Sequence, residues 1–395
     1  MSDLSGTETR HQTTACQEPA PLYERIYFLH ADRIMTSFDG DPRRRSLYGD
    51  DVIHLVEGHC TDRSDVVNVG PIWHKKRSWN GFRVAAPGLV SRVRDAVRHD
   101  PEAVLVIGHH HLALPFVSAD IRWVFDPTDS HGLLYLRRIF DVARKSPLKA
   151  ANSIRLALHY GALERKILSK TACFVTTGFA DERFLRILAP SAHVYRIGNG
   201  TDLIHLPPVQ PADDGQTIGF HGNMSWEPNR ETAEHLAKPI ATALASVLSP
   251  PLRIRLAGRP MPATVLARDG INGVEVCGFV EDLRGWLASL TLYVMPMYVG
   301  AGVKNKLIEA MAAGIPVLTN ARGAEALPAE AREAVAIAGN DRDIALATRA
   351  LLARPEELAR LRRDGRAVAL RYFDWLYLRQ SFHAELRRIR KTGVL

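Results

Sequence analysis

The run from Leu290 to Asn320, LTLYVMPMYVGAGVKNKLIEAMAAGIPVLTN, constrains the fold more than any other part of this chain. LTLYVMP is short, apolar and β-prone, and it stops at Pro296. Gly300 and Gly302 let the backbone turn tightly and come close to a ligand. A helix is expected from about Val303, with Val303, Leu307, Ile308 and Met311 as its buried stripe. Gly314 stops that helix and Pro316 lies just beyond it, before the strand IPVLTN. A strand, a glycine turn, a helix and a second strand make a βαβ unit of a parallel sheet. The glycine turn also presents backbone N–H groups and a partial positive charge, which suits a phosphate. Lys304 and Lys306 add full charges at that point, and Glu309 lies one turn further on.

The alternation extends in both directions. Upstream lie RIYFLH, DVIHLVEG, a helix over 87–99, AVLVIGHHH, IRWVFDPTDS, one helical stretch over about 132–169, ACFVTTG, ADERFLRIL and HVYRIGNGTD. Residues 203–216, rich in Pro, Asp and Gln, read as a linker. The pattern then restarts with TIGFHGN, a helix from about Asn229, LRIRLAG, GVEVCG and a helix near Asp282–Ser289. The expected fold class is α/β, with two facing Rossmann-like domains. The expected division is a disordered leader over 1–20, a first domain over 21–205, a second over 206–372 and a terminal helix over 373–395.

A chain of 395 residues has room for two substantial cores. Residues 1–20 have no apolar segment of the secretory kind, and the uncharged run 286–303 is interrupted by two glycines and a proline. The four cysteines (Cys16, Cys60, Cys173, Cys277) lack metal or redox spacing, which fits free thiols in a cytoplasm. The net charge of +8 is locally dense at Arg137, Arg138, Arg144, Lys145, Lys149 and Arg155. Two readings of that segment stay open: a solvated face, or peripheral contact with an anionic membrane on its inner side. No nucleic-acid partner is expected, because no binding motif is present.

The segment from Gly278 to Leu327 resembles the donor-binding half of GT-B glycosyltransferases, most closely the family 4 type. The matching pattern is Lys306-Leu-Ile-Glu309-Ala-Met-Ala-Ala-Gly314-Ile-Pro316-Val317. The resemblance implies that Glu309 binds the ribose hydroxyls of a nucleotide sugar. It implies that backbone N–H groups near Asn305 and Lys306, with Gly302 in the turn, bind the diphosphate. TIGFHGNMSWEPN is similar to the first strand of that half, with Gly222 and Asn223 where the nucleotide sugar would lie. LAGRP is similar to the next turn, making Arg259 a candidate phosphate ligand. GFVED matches the segment facing the base, which Phe279, Val280 and Leu283 would flank. RYFDW resembles the turn before a terminal helix that crosses back onto the first domain. Asn199-Gly200-Thr201-Asp202 matches an N-G-(V/T)-D turn in which Gly200 is expected to supply a positive φ.

The implied activity is transfer of a hexose from a nucleoside diphosphate sugar to a hydroxyl acceptor, retaining and without a metal or other cofactor. The family's first acidic residue falls at Ala301, so this chain resembles the subset with G-x-G-x-K-N-K there, and Lys304 is a catalytic candidate. In the first domain, Gly108-His109-His110-His111 and Asp126-Pro-Thr-Asp129-Ser-His131 end two β-rich segments. Asp126 and His110 are the candidates there for activating an acceptor or binding the sugar, with His109 and Asp129 as alternatives. Three successive histidines on a strand would point to alternate faces, so no metal is expected. Glu164 is read as a structural cap or ion pair. Two other functions remain open: a nucleotide-sugar 2-epimerase of the same fold, or a non-catalytic GT-B partner protein.

Overall fold

The computed structural model describes residues 26–392 apart from 30–45, 49–51, 57–65, 70, 75–77, 79–81, 101–102, 144–145, 211–215, 250 and 300–303. The expected leader, Val303, Gly300, Ala301 and Gly302, and Arg144 and Lys145, lie outside the described residues.

Two parallel sheets organise the chain. The first holds β1 (Ile26–Leu29), β2 (Val52–Val56), β3 (Val66–Asn68), β4 (Val104–Ile107), β5 (Trp123–Phe125), β6 (Cys173–Thr176) and β7 (Val194–Arg196) in the order β3-β2-β1-β4-β5-β6-β7. The second holds β8 (Thr217–His221), β9 (Arg253–Ala257), β10 (Val274–Gly278), β11 (Leu292–Met295), β12 (Val317–Thr319) and β13 (Ala336–Ile337) in the order β10-β9-β8-β11-β12-β13. The paired strands within both sheets run parallel. Strand order reverses beside β1 and β4 in one sheet and beside β8 and β11 in the other. Such switch points open a crevice at the carboxyl ends of the strands, where ligands bind in sheets of this kind. The central strands β4 and β11 are buried on both faces, and this is why they read as continuous apolar runs rather than alternating ones.

Four helices position the site: α1 (His131–Ala143), α2 (Pro147–Leu168), α3 (Asn305–Ala313) and α4 (Trp375–Thr392). The helical stretch expected over about 132–169 is two helices, α1 and α2. Pro147 opens α2, and the Ser146 side chain caps it by accepting from the Lys149 N–H. A proline is tolerated in a first turn and ends a preceding helix, so Pro147 divides the stretch. In α3, Leu307, Ile308 and Met311 are buried, and Gly314 closes the helix in the left-handed conformation at φ 81°.

Helix α4 returns to the first domain. Its Trp375, Leu378, Phe382, Leu386 and Ile389 complete the core beneath β1, β4 and β5. The Phe382 ring meets Tyr48 edge-on at 5.1 Å. Gly200 does not adopt the expected positive φ. A Cβ there would lie 2.7 Å from the Phe373 carbonyl oxygen and 2.7 Å from the Trp375 ring, so close approach of the α4 entry requires the glycine. No described helix is long and apolar enough to cross a membrane.

Candidate active site

The donor side forms at the ends of β8, β9 and β10. A cavity of about 600 Å³ opens there, lined by Gly222, Asn223, Arg259, Phe279, Val280 and Leu283 together with His221, Ser225, Ala257, Gly258 and Pro260. These six sequence candidates thus share one cavity, of a size that suits a small ligand. The wall depends on two glycines. A Cβ on Gly258 (φ 137°) would sit 1.9 Å from the Gly222 carbonyl oxygen, and one on Gly222 would sit 2.7 Å from Lys306 Cε. No other residue lets the two strand ends approach this closely. The Arg259 guanidinium lies 4.1 Å from the centre of the Phe279 ring, which is 57% exposed, so a cation and an open aromatic face meet at the rim.

Glu309 sits behind the same strand ends. Its carboxylate is 3.1 Å from His221 Nε2, and His221 Nδ1 is 3.1 Å from the Tyr293 hydroxyl. Tyr293 donates to Nδ1, leaving Nε2–H to donate to Glu309. Burial pushes the Glu309 carboxyl up, but the His221 bond and the Lys306 charge outweigh it and hold the carboxyl below its ordinary value. Lys306 itself is held low, chiefly by burial and against the pull of Glu309.

Helix α3 begins with Lys304 as its N-cap in an extended conformation, and no side chain caps that end. Its first N–H groups and partial positive charge are therefore left for a ligand or solvent. Lys304 is 8% exposed. Burial lowers its pKa to about 8, and the charges of Asp129 and Glu325 offset part of the shift. Asn305 accepts a 2.7 Å hydrogen bond from Asn199 of the first domain. Gly302 lies outside the described residues.

The first-domain candidates need correcting. His110 is not at a strand end. The strand β4 stops at Ile107, and His109 caps a short helix that His110 opens. His110 is 2% exposed and 3.0 Å from Glu164. Burial lowers its pKa to about 3, so the contact is a hydrogen bond from a neutral imidazole and not an ion pair. The strand argument about the three histidines therefore does not apply to them. Asp126 is fully buried. It shares the face of Val124, turned toward Tyr48 and the core that α4 completes, because residues two apart on a strand point the same way. The Tyr48 hydroxyl donates to it at 2.6 Å, and the Thr128 N–H donates at 3.2 Å. It anchors the loop after β5 and does not face the cleft.

The carboxylate in this loop that Lys304 senses is Asp129. It accepts from the Thr177 hydroxyl at 2.6 Å. Thr128 between them has φ 77°, an uncommon conformation for a β-branched residue. Glu164 fixes the other end of the loop, accepting from Ser130 Oγ at 2.9 Å and from the His131 N–H at 2.8 Å. Burial raises its pKa to about 7 in spite of those bonds. Sequence reasoning missed Arg137 as a site residue. It reaches Glu325 of the second domain at 3.2 Å, and with Phe140 and Arg322 the pair lines a smaller pocket.

Comparison with known proteins follows the same division. Residues 215–354 match the family described as Glycosyl transferases group 1. Sucrose-phosphate synthase from Thermosynechococcus elongatus superposes with a TM-score of 0.59 at 16% identity, over 94% of this chain and 100% of that one. HepE from Anabaena, solved in complex with UDP, gives a TM-score of 0.62 at 14% identity, over 92% and 100%. A UDP-forming α,α-trehalose-phosphate synthase from Burkholderia xenovorans gives 0.59 at 11%, over 93% and 99%. No curated protein sequence matches the chain significantly. The chain has the GT-B fold, and its second sheet lies within the 140 residues that match the group 1 glycosyl transferases.

Proposed function

We propose that this GT-B glycosyltransferase moves a hexose from a uridine diphosphate sugar to a hydroxyl acceptor, with retention and without a metal, at the inner face of a membrane. The observation that carries the reading is the β8–β10 cavity, whose lining His221 bonds Glu309 and whose Gly222 lies against Lys306, together with the uncapped start of α3 at Lys304. In this reading Phe279, Val280 and Leu283 flank the base. Glu309 leaves His221 to accept from the ribose hydroxyls. The N–H groups of Asn305 and Lys306 and the Arg259 guanidinium hold the diphosphate. Charge grows on that diphosphate as the glycosidic bond breaks, so Lys304, a buried cation, stabilises the transition state more than the ground state. The uracil assignment draws on the fold shared with HepE, which binds UDP. On the first-domain side the reading gives the acceptor hydroxyl to Asp129 in place of Asp126.

The test is a thermal-shift screen of UDP-, GDP- and dTDP-sugars, followed by assay of nucleoside diphosphate release with and without acceptor. Stabilisation by a UDP-sugar and acceptor-dependent release are expected. Conversion of the sugar without acceptor would replace transfer by epimerisation, and absence of any nucleotide response would remove the catalytic reading.

A further inference from the structure

We infer that the α1–α2 hairpin is a docking element for an anionic lipid surface. The observation is an exposed face on which large apolar side chains alternate with cations. Phe140 near the end of α1 is 77% exposed, and Leu148 and Leu158 on α2 are 82% and 71% exposed. Arg138, Lys149 and Arg155 are exposed on the same two helices. On α2, Leu148, Arg155 and Leu158 are spaced by seven and three residues, so they share one helix face. Between His131 and Lys166 the chain carries eight Arg or Lys and only two acidic residues, Asp141 and Glu164. Glu164, near the end of α2, is fully buried against the start of α1, so it cannot neutralise the outer face, and of the described cations only Arg137 is drawn off, by its pairing with Glu325. The segment therefore holds six of the chain's eight net positive charges.

This chemistry selects the occupant. A second copy docked on the same face would set these cations against themselves. A polyanion without an apolar phase would pair with the cations and leave Leu148 and Leu158 in water. An anionic bilayer accepts both sets, with cations at the headgroups and apolar side chains at the acyl boundary. The inference locates the membrane contact of the function proposed above, but it does not need nucleotide binding or transfer to be correct.

The experiment uses the full chain and two triple variants. One is Arg138→Glu, Lys149→Glu and Arg155→Glu together. The other is Phe140→Ser, Leu148→Ser and Leu158→Ser together. Each is mixed, without nucleotide, with vesicles of phosphatidylcholine alone or of phosphatidylcholine and phosphatidylglycerol, and sedimented. Thermal melts matching the parent chain establish that the variants fold. The expected result is binding to the phosphatidylglycerol vesicles only, weakened by added salt, and reduced at least ~10-fold in each triple variant. The inference is overturned if the parent chain does not distinguish the two vesicle types, or if either folded variant binds like the parent. It is also overturned if the parent chain self-associates in solution and the serine variant abolishes that association while vesicle binding is retained.

Discussion

Lys304 gives the most demanding test of the proposed leaving-group chemistry. Its pKa of about 8 in the folded protein lies below its ordinary value of 10.5, and burial is the main cause. Each unit is worth about 1.4 kcal/mol, so carrying this charge costs the ligand-free protein ~3 kcal/mol at neutral pH. The sign is fixed by linkage. A lowered pKa means that the folded state releases the proton first, so the penalty is complete below about pH 8 and disappears as the pH rises toward 10.5. A diphosphate beside the ammonium should reverse this by favouring the charged form. At pH 9 Lys304 is mostly neutral without ligand, so UDP should bind with uptake of ~0.8–0.9 proton from buffer, and with almost none at pH 7. Titration calorimetry in two buffers of different ionisation enthalpy reads this number directly. Lys304→Met should remove the uptake and weaken UDP at pH 7 by ~10–150-fold, the loss expected for a charged hydrogen bond. Tight UDP binding at pH 9 without proton uptake, or the same uptake in Lys304→Met, would refute the assignment. Lys306→Met in parallel should leave most of the uptake in place, because residues two apart on a helix point to different sides.

Glu309→Ala should weaken UDP by at least ~10-fold through lost charge-assisted bonds to the ribose, and an unchanged calorimetric dissociation constant in a folded variant would remove Glu309 from the site. Arg259→Ala should weaken UDP by ~10-fold while uridine, which lacks the diphosphate, loses less; equal losses would assign Arg259 to the base through its contact with Phe279 instead. Asp126→Asn should act on stability and not on turnover. It weakens the buried bond to Tyr48, costs ~1–3 kcal/mol and lowers Tm by several degrees, whereas a large fall in turnover of the folded variant would return Asp126 to the reaction.

The donor side was legible because its signals are local. The glycine at 314, the helix from 305, the turn at Gly258 and the residues after β10 each lie within a few positions of the element that fixes them. The first domain was harder for identifiable reasons. The ends of α1 and α2 merged because both carry helical periodicity across Ser146 and Pro147. The role of His110 depended on β4 ending at Ile107, a boundary that shifts the histidines from a strand to a helix start. Asp126 faces the wrong side by strand parity, which Val124 in the α4-covered core reveals and the motif alone does not. The pairing of Arg137 with Glu325 spans 188 positions and has no sequence signal. A closing helix was expected from RYFDW, but the need for glycine at position 200 came from packing against Phe373 and not from its own dihedral.

The return of α4 also sets an order of assembly. The core beneath β1, β4 and β5 is finished by residues 375–389, which are translated only after every strand of the second sheet. A growing chain must therefore carry the apolar face formed by Phe28, Val106 and Val124 uncovered through the synthesis of an entire second domain. Contacts this remote in sequence form slowly, and faces left open in the meantime invite association. The first domain begins synthesis first and completes its packing last, so its folding is tied to that of the donor half although the two sheets are separate. A shortened chain that stops before Trp375 would lose more than a tail: it would retain both sheets and leave the first-domain core open to water.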